Sequence, residues 1–258
     1  MRYGAAVAPA GSLEGGRVLD PAAVGQALRQ LLLNTKITTT RALIAASDAV
    51  ASYRVFPVSP NATDSEIAAE VKSRFDLATE RMAHRYVEVT AGPDERMVFS
   101  TVWDRHQVTA IATAVRQAGL DPAAVDLKSL CLARALAVES CILIDMTVEP
   151  CEVVLIAQRV PHIWHTVALD MGGDFIQGIA DALRPVVGFY KRSGGGEFVP
   201  NSPLVVRSDP ALPAEAVDRL EQLSGRSVLP VPQPGRVDAG IPYVPYLTCL
   251  GLIMRRDA

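Results

Sequence analysis

Three short segments carry residue types that can hold an anion or a metal ion. Asp145-Met-Thr-Val148 puts a carboxylate at the end of an apolar run, just before a tight turn. Such a turn can present backbone N–H groups to an anion while the Asp holds a metal or a water. Met171-Gly-Gly-Asp174 places Gly172 and Gly173 ahead of a predicted helix, whose free N–H groups and dipole favour an anion. The same spacing is also that of a plain turn with Asp174 as the helix cap. Ser193-Gly-Gly-Gly196 lacks the Lys-Ser/Thr that follows the glycines of a Walker loop and reads as a connection. His162 and His165 would share a metal on a helix, but Pro161–Leu169 reads as a strand, where residues three apart point to opposite faces. Cys131, Cys141, Cys151 and Cys249 form no C-x-x-C pair and read as reduced, buried small hydrophobes. No nucleophile elbow or Ser-His-Asp pattern is present.

These residues must be positioned by a mixture of strands and helices. Arg2–Val7 reads as a short strand. Asp20-Pro21 starts a helix carrying Ala27, Leu28, Leu31 and Leu32 on one face. Arg41–Ala46 reads as a buried strand and Ser52–Phe56 as a half-exposed one. Thr63 and Glu66 have the spacing of a capping box, opening a polar helix to about Arg81. Strands follow at Tyr86–Val89 and Met97–Val102, joined by the turn-rich residues 91–95. Asp104 then caps a helix that stops at Gly119. The hexapeptide Leu-Asp-Pro-Ala-Ala-Val occurs at Leu19–Val24 and again at Leu120–Val125. The first copy runs into an amphipathic helix. The second lies between a helix ended by Gly119 and one beginning near Ser129, a gap that suits a strand. Cys141–Asp145, Glu152–Ala157 and His162–Leu169 have short connections and predict an antiparallel meander. A helix over Asp174–Tyr190, a strand Leu204–Arg207, a helix Pro213–Leu223, a strand Val228–Leu229 and a helix Tyr243–Met254 complete an α/β chain of two lobes, 1–138 and 139–258.

The 258 residues are 49% hydrophobic with a net charge of −3, enough to bury a core and too apolar for disorder. The charge argues against a nucleic-acid binder, which carries a basic stripe. The longest apolar stretch, Ile241–Met254, is short for a membrane span and broken by Pro242 and Pro245. The N-terminus lacks the pattern of an export signal.

Gln117-Ala-Gly-Leu-Asp-Pro-Ala-Ala-Val-Asp-Leu127, Leu132-Ala-Arg-Ala-Leu136, Leu143-Ile-Asp145 and Leu169-Asp-Met-Gly-Gly-Asp174 together resemble the PilM family, actin-like components of the type IV pilus assembly platform related to FtsA. Arg17–Val24, Thr40–Ala45 and Arg54–Pro57 fit the same order, so the likeness runs from Asp20 to the C-terminus. It implies an actin-like (ribonuclease H-like) α/β fold with an FtsA-type subdomain 1C at about 53–103. It also implies a cytoplasmic protein held at the inner membrane by its partners. In the family a groove involving subdomains 1A and 1C takes the N-terminal cytoplasmic peptide of the membrane protein PilN; self-association or an assembly ATPase would be further contacts. The polar helix 64–81 is either a partner surface or a solvated face.

Departures from the family bear on nucleotide. The sequence starts downstream of the strand that carries the first phosphate loop. The second loop reads Asp145-Met146-Thr147-Val148 without its glycine, and Leu204–Arg207 runs into Ser208-Asp209-Pro210-Ala211 in place of adenosine-loop glycines. Only residues 174–203 are available where the family inserts subdomain 2B. Backbone reaches phosphate most closely at glycine. The expectation is a non-catalytic scaffold without cofactor, with Asp145, Thr147, Gly172, Gly173 and Asp174 as vestiges of a nucleotide site. Two alternatives stand beside it: an ATPase using Asp145 and Asp174 for Mg²⁺ and Gly172-Gly173 for the phosphates of ATP, and the cytoplasmic domain of a type II secretion platform protein.

Overall fold

The structure, a computed structural model, describes residues 2–75, 81–90, 96–170, 173–195, 198–235, 237 and 240–255. In chain order the elements are β1 (Leu13–Glu14), β2 (Arg17–Val18), α1 (Pro21–Thr35), β3 (Arg41–Ala46), β4 (Ala51–Val58), α2 (Asp64–Arg74), β5 (Met82–Thr90), β6 (Arg96–Asp104), α3 (Arg105–Gln117), β7 (Asp121–Leu127), α4 (Lys128–Leu136), β8 (Cys141–Asp145), β9 (Cys151–Ala157), β10 (Val160–Val167), α5 (Phe175–Tyr190), β11 (Leu204–Arg207), α6 (Ala214–Ser224), β12 (Val228–Leu229) and α7 (Leu247–Ile253). A 3-10 turn, Asp48–Val50, joins β3 to β4.

A five-stranded sheet of order β10-β9-β8-β11-β12 forms the larger core. The meander β8–β9–β10 is antiparallel, and β11 lies parallel to both β8 and β12. Every residue of β8 and β9 is buried, so apart from Asp145 and Glu152 at their facing ends these strands read as continuous apolar runs rather than alternating ones. One face packs on α5 through Ile176, Ile179 and Leu183. The other packs on α4 and α7 through Leu132, Leu136 and Leu247. These two helices cross closely at Gly251, where a Cβ would stand 1.7 Å from the Cys131 carbonyl oxygen.

The N-terminal half holds a parallel pair, β3-β7, and an antiparallel sheet, β4-β6-β5. Helix α2 covers one face of the latter, with Ile67 and Val71 against Phe56, Val98 and Val102. Its start is fixed locally: Thr63 Oγ1 accepts from the Glu66 N–H at 3.3 Å while Glu66 Oε2 accepts from the Thr63 N–H at 2.7 Å. Replacing Thr63 by alanine is expected to cost about 1 kcal/mol of stability in urea unfolding. A loss below the error of that measurement would mean the cap is redundant.

The two copies of the repeated hexapeptide take different structures. Asp20 accepts from the Ala22 and Ala23 N–H groups at 2.9 and 3.0 Å, with Pro21 opening α1. At the second copy Gly119, at φ 88°, ends the preceding helix, and β7 pairs in parallel with β3 from Arg41↔Asp121 to Ala46↔Leu127. Pro122 is tolerated because β7 is an edge strand.

Four expectations need correction. Arg2–Val7 is not a strand: among the described residues nothing pairs with its backbone, and Tyr3 packs instead on Tyr246 with ring centroids 5.1 Å apart. Helix α2 ends at Arg74 rather than Arg81, because its buried stripe Ile67–Val71 finishes at Phe75; residues 76–80 lie outside the described residues. The last helix begins at Leu247 rather than Tyr243, since Pro245 disfavours helix in the residue before it. Cys249 is exposed, while Cys131, Cys141 and Cys151 are buried as expected.

Candidate functional site

Two concavities carry the chemistry. The first, a cleft of about 500 Å³, lies where β8 and β11 end, lined by Lys128, Met146, Thr147, Arg207, Asp209 and Thr248 among others. The parallel register sets Arg207 beside Asp145. Asp145 is fully buried, and its Oδ2 accepts from Arg207 Nη1 and from Lys128 Nζ, each at 2.8 Å. Its Oδ1 accepts from the Thr147 N–H at 3.1 Å and from Thr147 Oγ1 at 2.6 Å. Lys128 also pairs with Glu152 at 2.7 Å, directly across the ladder from Asp145. Arg207 then donates to the carbonyls of Val244 at 2.9 Å and Pro245 at 2.7 Å. Burial pushes the Asp145 carboxyl up, yet the charges of Lys128 and Arg207, with hydrogen bonds from Lys128 and Thr147, outweigh it and hold the group below its ordinary value.

The predicted site residues are therefore divided. Asp145 and Thr147 meet. Asp174 sits apart as the cap of α5, accepting from the Gln177 N–H at 3.1 Å and pairing with Arg219. Gly173 lies in the turn before it, its N–H donating to the Asp170 carbonyl at 3.1 Å, and Gly172 lies outside the described residues. Among the described residues no group of three or more His, Cys, Asp or Glu side chains is placed to hold a metal ion. His162 lies on β10 with His165 but in different surroundings. It packs on Tyr190 at 5.1 Å, burial lowers its pKa to about 4, and His165 faces solvent.

Sequence reasoning missed Lys128, Glu152 and Arg207. The one available signal was that two apolar runs, Cys141–Asp145 and Leu204–Arg207, end in opposite charges; only the sheet order makes them neighbours. It also missed Asp48. This carboxylate, just after β3, accepts from the Ser129 N–H at 2.9 Å and from Ser129 Oγ, and so caps α4, whose own flanking residue, Leu127, offers no side-chain cap. Burial raises its pKa to about 6. Burial and the Asp48 charge also push the neighbouring Tyr53 phenol well above its ordinary value.

The second concavity is a groove of about 740 Å³ between the sheet β4-β6-β5 and the elements β7 and α4. Alternation makes it. On β6, Val98 and Val102 point to the α2 core, which sends Phe99, Thr101 and Trp103 to the other face. Arg85 and Val87 of β5 stand opposite Thr101 and Phe99 on that face. Val50, Leu130 and Met254 complete an apolar floor, and Arg85, Arg134, Arg159 and Arg255 rim it, against one lining carboxylate, Asp126.

No protein-family model matches the sequence, and no curated protein sequence matches it. Solved structures do match. The PilM–PilN type IV pilus biogenesis complex aligns with a TM-score of 0.71 at 17% identity, over 96% of this chain and 88% of that one. The cytoplasmic domain of EpsL, an inner-membrane component of the type II secretion system of Vibrio cholerae, aligns with a TM-score of 0.53 at 13% identity, over 90% of this chain and 81% of that one. Among the described residues no helix is long and apolar enough to cross a membrane. With its meander-led five-stranded sheet and its second, inserted three-stranded one, the chain has the actin-like fold in the form found in the PilM–PilN complex.

Proposed function

We propose that this protein is a non-catalytic actin-like scaffold of a type IV pilus assembly platform, with lobes over 1–138 and 139–258. It would bind the N-terminal cytoplasmic segment of a PilN-like membrane protein and so reside at the cytoplasmic face of the inner membrane. The observation that carries this reading is the groove. The sheet β4-β6-β5 has two apolar faces, α2 covers one, and the other walls an open trough of about 740 Å³. A trough of that shape, apolar at the base and polar at the rim, takes an extended peptide with alternate side chains down. The structural likeness to PilM in a complex with PilN supports the choice of partner.

The residues at the Asp145 cleft favour this reading over one in which ATP and Mg²⁺ bind there. The carboxylate that would position the ion is committed to two cations, and Met146, Thr147 and Val148 carry side chains where backbone would have to approach phosphate. Between α5 and β11 the described residues hold one π-helical turn, Lys191–Gly195, and no further helix or strand to embrace a base.

The test is a pair of titrations. A labelled N-terminal peptide of the PilN-like protein is expected to bind saturably. Val87→Asp, which puts a charge on the exposed groove wall, is expected to weaken it at least about tenfold, a loss near 1.4 kcal/mol, with an unchanged circular dichroism spectrum. Labelled ATP with Mg²⁺ is expected not to bind. Micromolar ATP binding would restore the ATPase reading, and peptide binding indifferent to Val87→Asp would remove the groove from it.

A further inference from the structure

The groove between the sheet β4-β6-β5 and α4 is basic in a chain whose net charge is −3. Four arginines line it, Arg85, Arg134, Arg159 and Arg255, against a single carboxylate, Asp126. That carboxylate is already engaged. Arg134 pairs with its Oδ2, and its Oδ1 accepts from the Leu127 N–H at 2.9 Å. Arg159 stands 3.6 Å from Glu139, which lies outside the lining. Arg85 and Arg255 have no side-chain partner among the described residues.

The contrast with the neighbouring arginines is what gives Arg85 its meaning. Among the described residues 51–104 every other arginine is engaged. Arg54 lies over the Phe75 ring at 5.3 Å, Arg74 pairs with Glu70, Arg81 with Asp104 and Arg96 with Glu88. Arg85 is exposed on β5, on the groove face beside Val87. Arg255, half-buried, follows α7 on the opposite wall, where Leu247 of α7 packs with Leu132 of α4. One unpaired guanidinium thus stands on each side of an apolar floor that includes Val87, Phe99 and Leu130. Guanidinium is weakly hydrated and planar, and its fork of donors matches a carboxylate.

We propose that the groove selects an acidic peptide, an apolar run flanked by Asp or Glu side chains that pair with Arg85 on one wall and Arg255 on the other. This selectivity rests on the groove being the peptide site and adds to that reading the charge of the ligand. Apolar side chains descend to the floor while the carboxylates stay at the rim. A basic segment is disfavoured by the same geometry, since its charges meet Arg85 and Arg255 and find only Asp126, already paired. Contacts at a rim contribute to selectivity and association rate more than to affinity, so the effect of each arginine is modest.

The probe is a phage-displayed library of random linear decapeptides, panned on the full chain with Val87→Asp as the counter-selection, so that only groove-dependent peptides are kept. Asp and Glu are expected to be enriched on either side of an apolar run. The most enriched peptide, synthesised with a fluorescent label, is then titrated. Arg85→Gln and Arg255→Gln, each with an unchanged urea midpoint, are expected to weaken it about two- to fivefold apiece. Replacing the flanking carboxylates of the peptide by amides should give the same loss, and should make it indifferent to both variants. Raising the salt to about 0.5 M should remove most of the difference. Groove-dependent peptides without acidic enrichment, or an acidic peptide indifferent to both arginines, overturn the proposal and leave the groove standing as a peptide site. A selection that yields no peptide sensitive to Val87→Asp overturns the peptide site itself, and the proposal with it.

Discussion

Replacing Arg207 by alanine is expected to destabilise the fold by about 3–5 kcal/mol in urea unfolding at neutral pH, the range for removing one partner of a buried ion pair. Arg207 is 4% exposed and all three nitrogens of its guanidinium donate: Asp145, two backbone carbonyls and the Thr248 hydroxyl accept from it. Without it the Asp145 charge keeps only Lys128 and Thr147, and the carbonyls of Val244 and Pro245 lose their donor.

The acid dependence distinguishes this cause from a simple cavity. The folded-state pKa of Asp145 lies below its ordinary value of 3.8, so its contribution to stability is present above that value and is lost as pH falls through the folded pKa. The deficit of the alanine variant should therefore be largest near neutrality and shrink in acid. Adding Asp145→Asn to the variant should recover part of the loss, because the unpaired charge is gone. A deficit under about 1 kcal/mol, or one independent of pH, would show that the network is not what fastens β11 to the segment leading into α7.

Asp48→Asn is expected to act in the opposite direction and stabilise the protein at pH 7.5 by about 1–2 kcal/mol. Asp48 is buried, and its folded-state pKa of about 6 stands above the ordinary 3.8. A raised carboxyl pKa means that the folded chain holds the proton more tightly. Its contribution is fully present below the ordinary value and is lost as pH rises through about 6. Asparagine keeps one oxygen to accept from the Ser129 N–H, while its NH2 can donate to the Ser129 hydroxyl oxygen, so the cap of α4 survives, and it carries no charge to desolvate. Subtracting the variant's stability-versus-pH curve from that of the wild type should leave a fall between about pH 4 and pH 6. A variant less stable than wild type at pH 7.5 would mean that the charge itself is needed, through the dipole of α4.

Much of the local structure was legible because its causes lie within four residues. Asp20, Thr63, Asp104 and Asp174 all cap the helices that their positions predict, since each cap is a hydrogen bond to a backbone N–H two or three residues away. The meander β8–β9–β10 was legible for the same reason, as its connections are too short for anything but antiparallel pairing. The candidate site was half legible. Asp145 and Thr147 are two residues apart in sequence and meet in space, but the sequence alone set Asp174 with them, and in the structure it serves a different helix and a different arginine.

Leu-Asp-Pro-Ala-Ala-Val marks the limit of what six residues by themselves determine, since only their flanking segments told the two copies apart. Its first copy is helical because Asp20 caps and Pro21 is tolerated in the first turn, both local effects. Its second copy is a strand because β3, some eighty residues upstream, supplies the backbone partners, and nothing inside the six residues records that. The partners of Asp145 are set in the same way, by strand order and register that bring Arg207 across sixty-two positions. So is the groove, whose floor combines β5, β6, α4 and the end of α7. Sequence fixes what its own neighbours can satisfy. Tertiary structure decides the rest, because a buried charge and an edge strand take their meaning from groups that only folding brings within hydrogen-bonding distance.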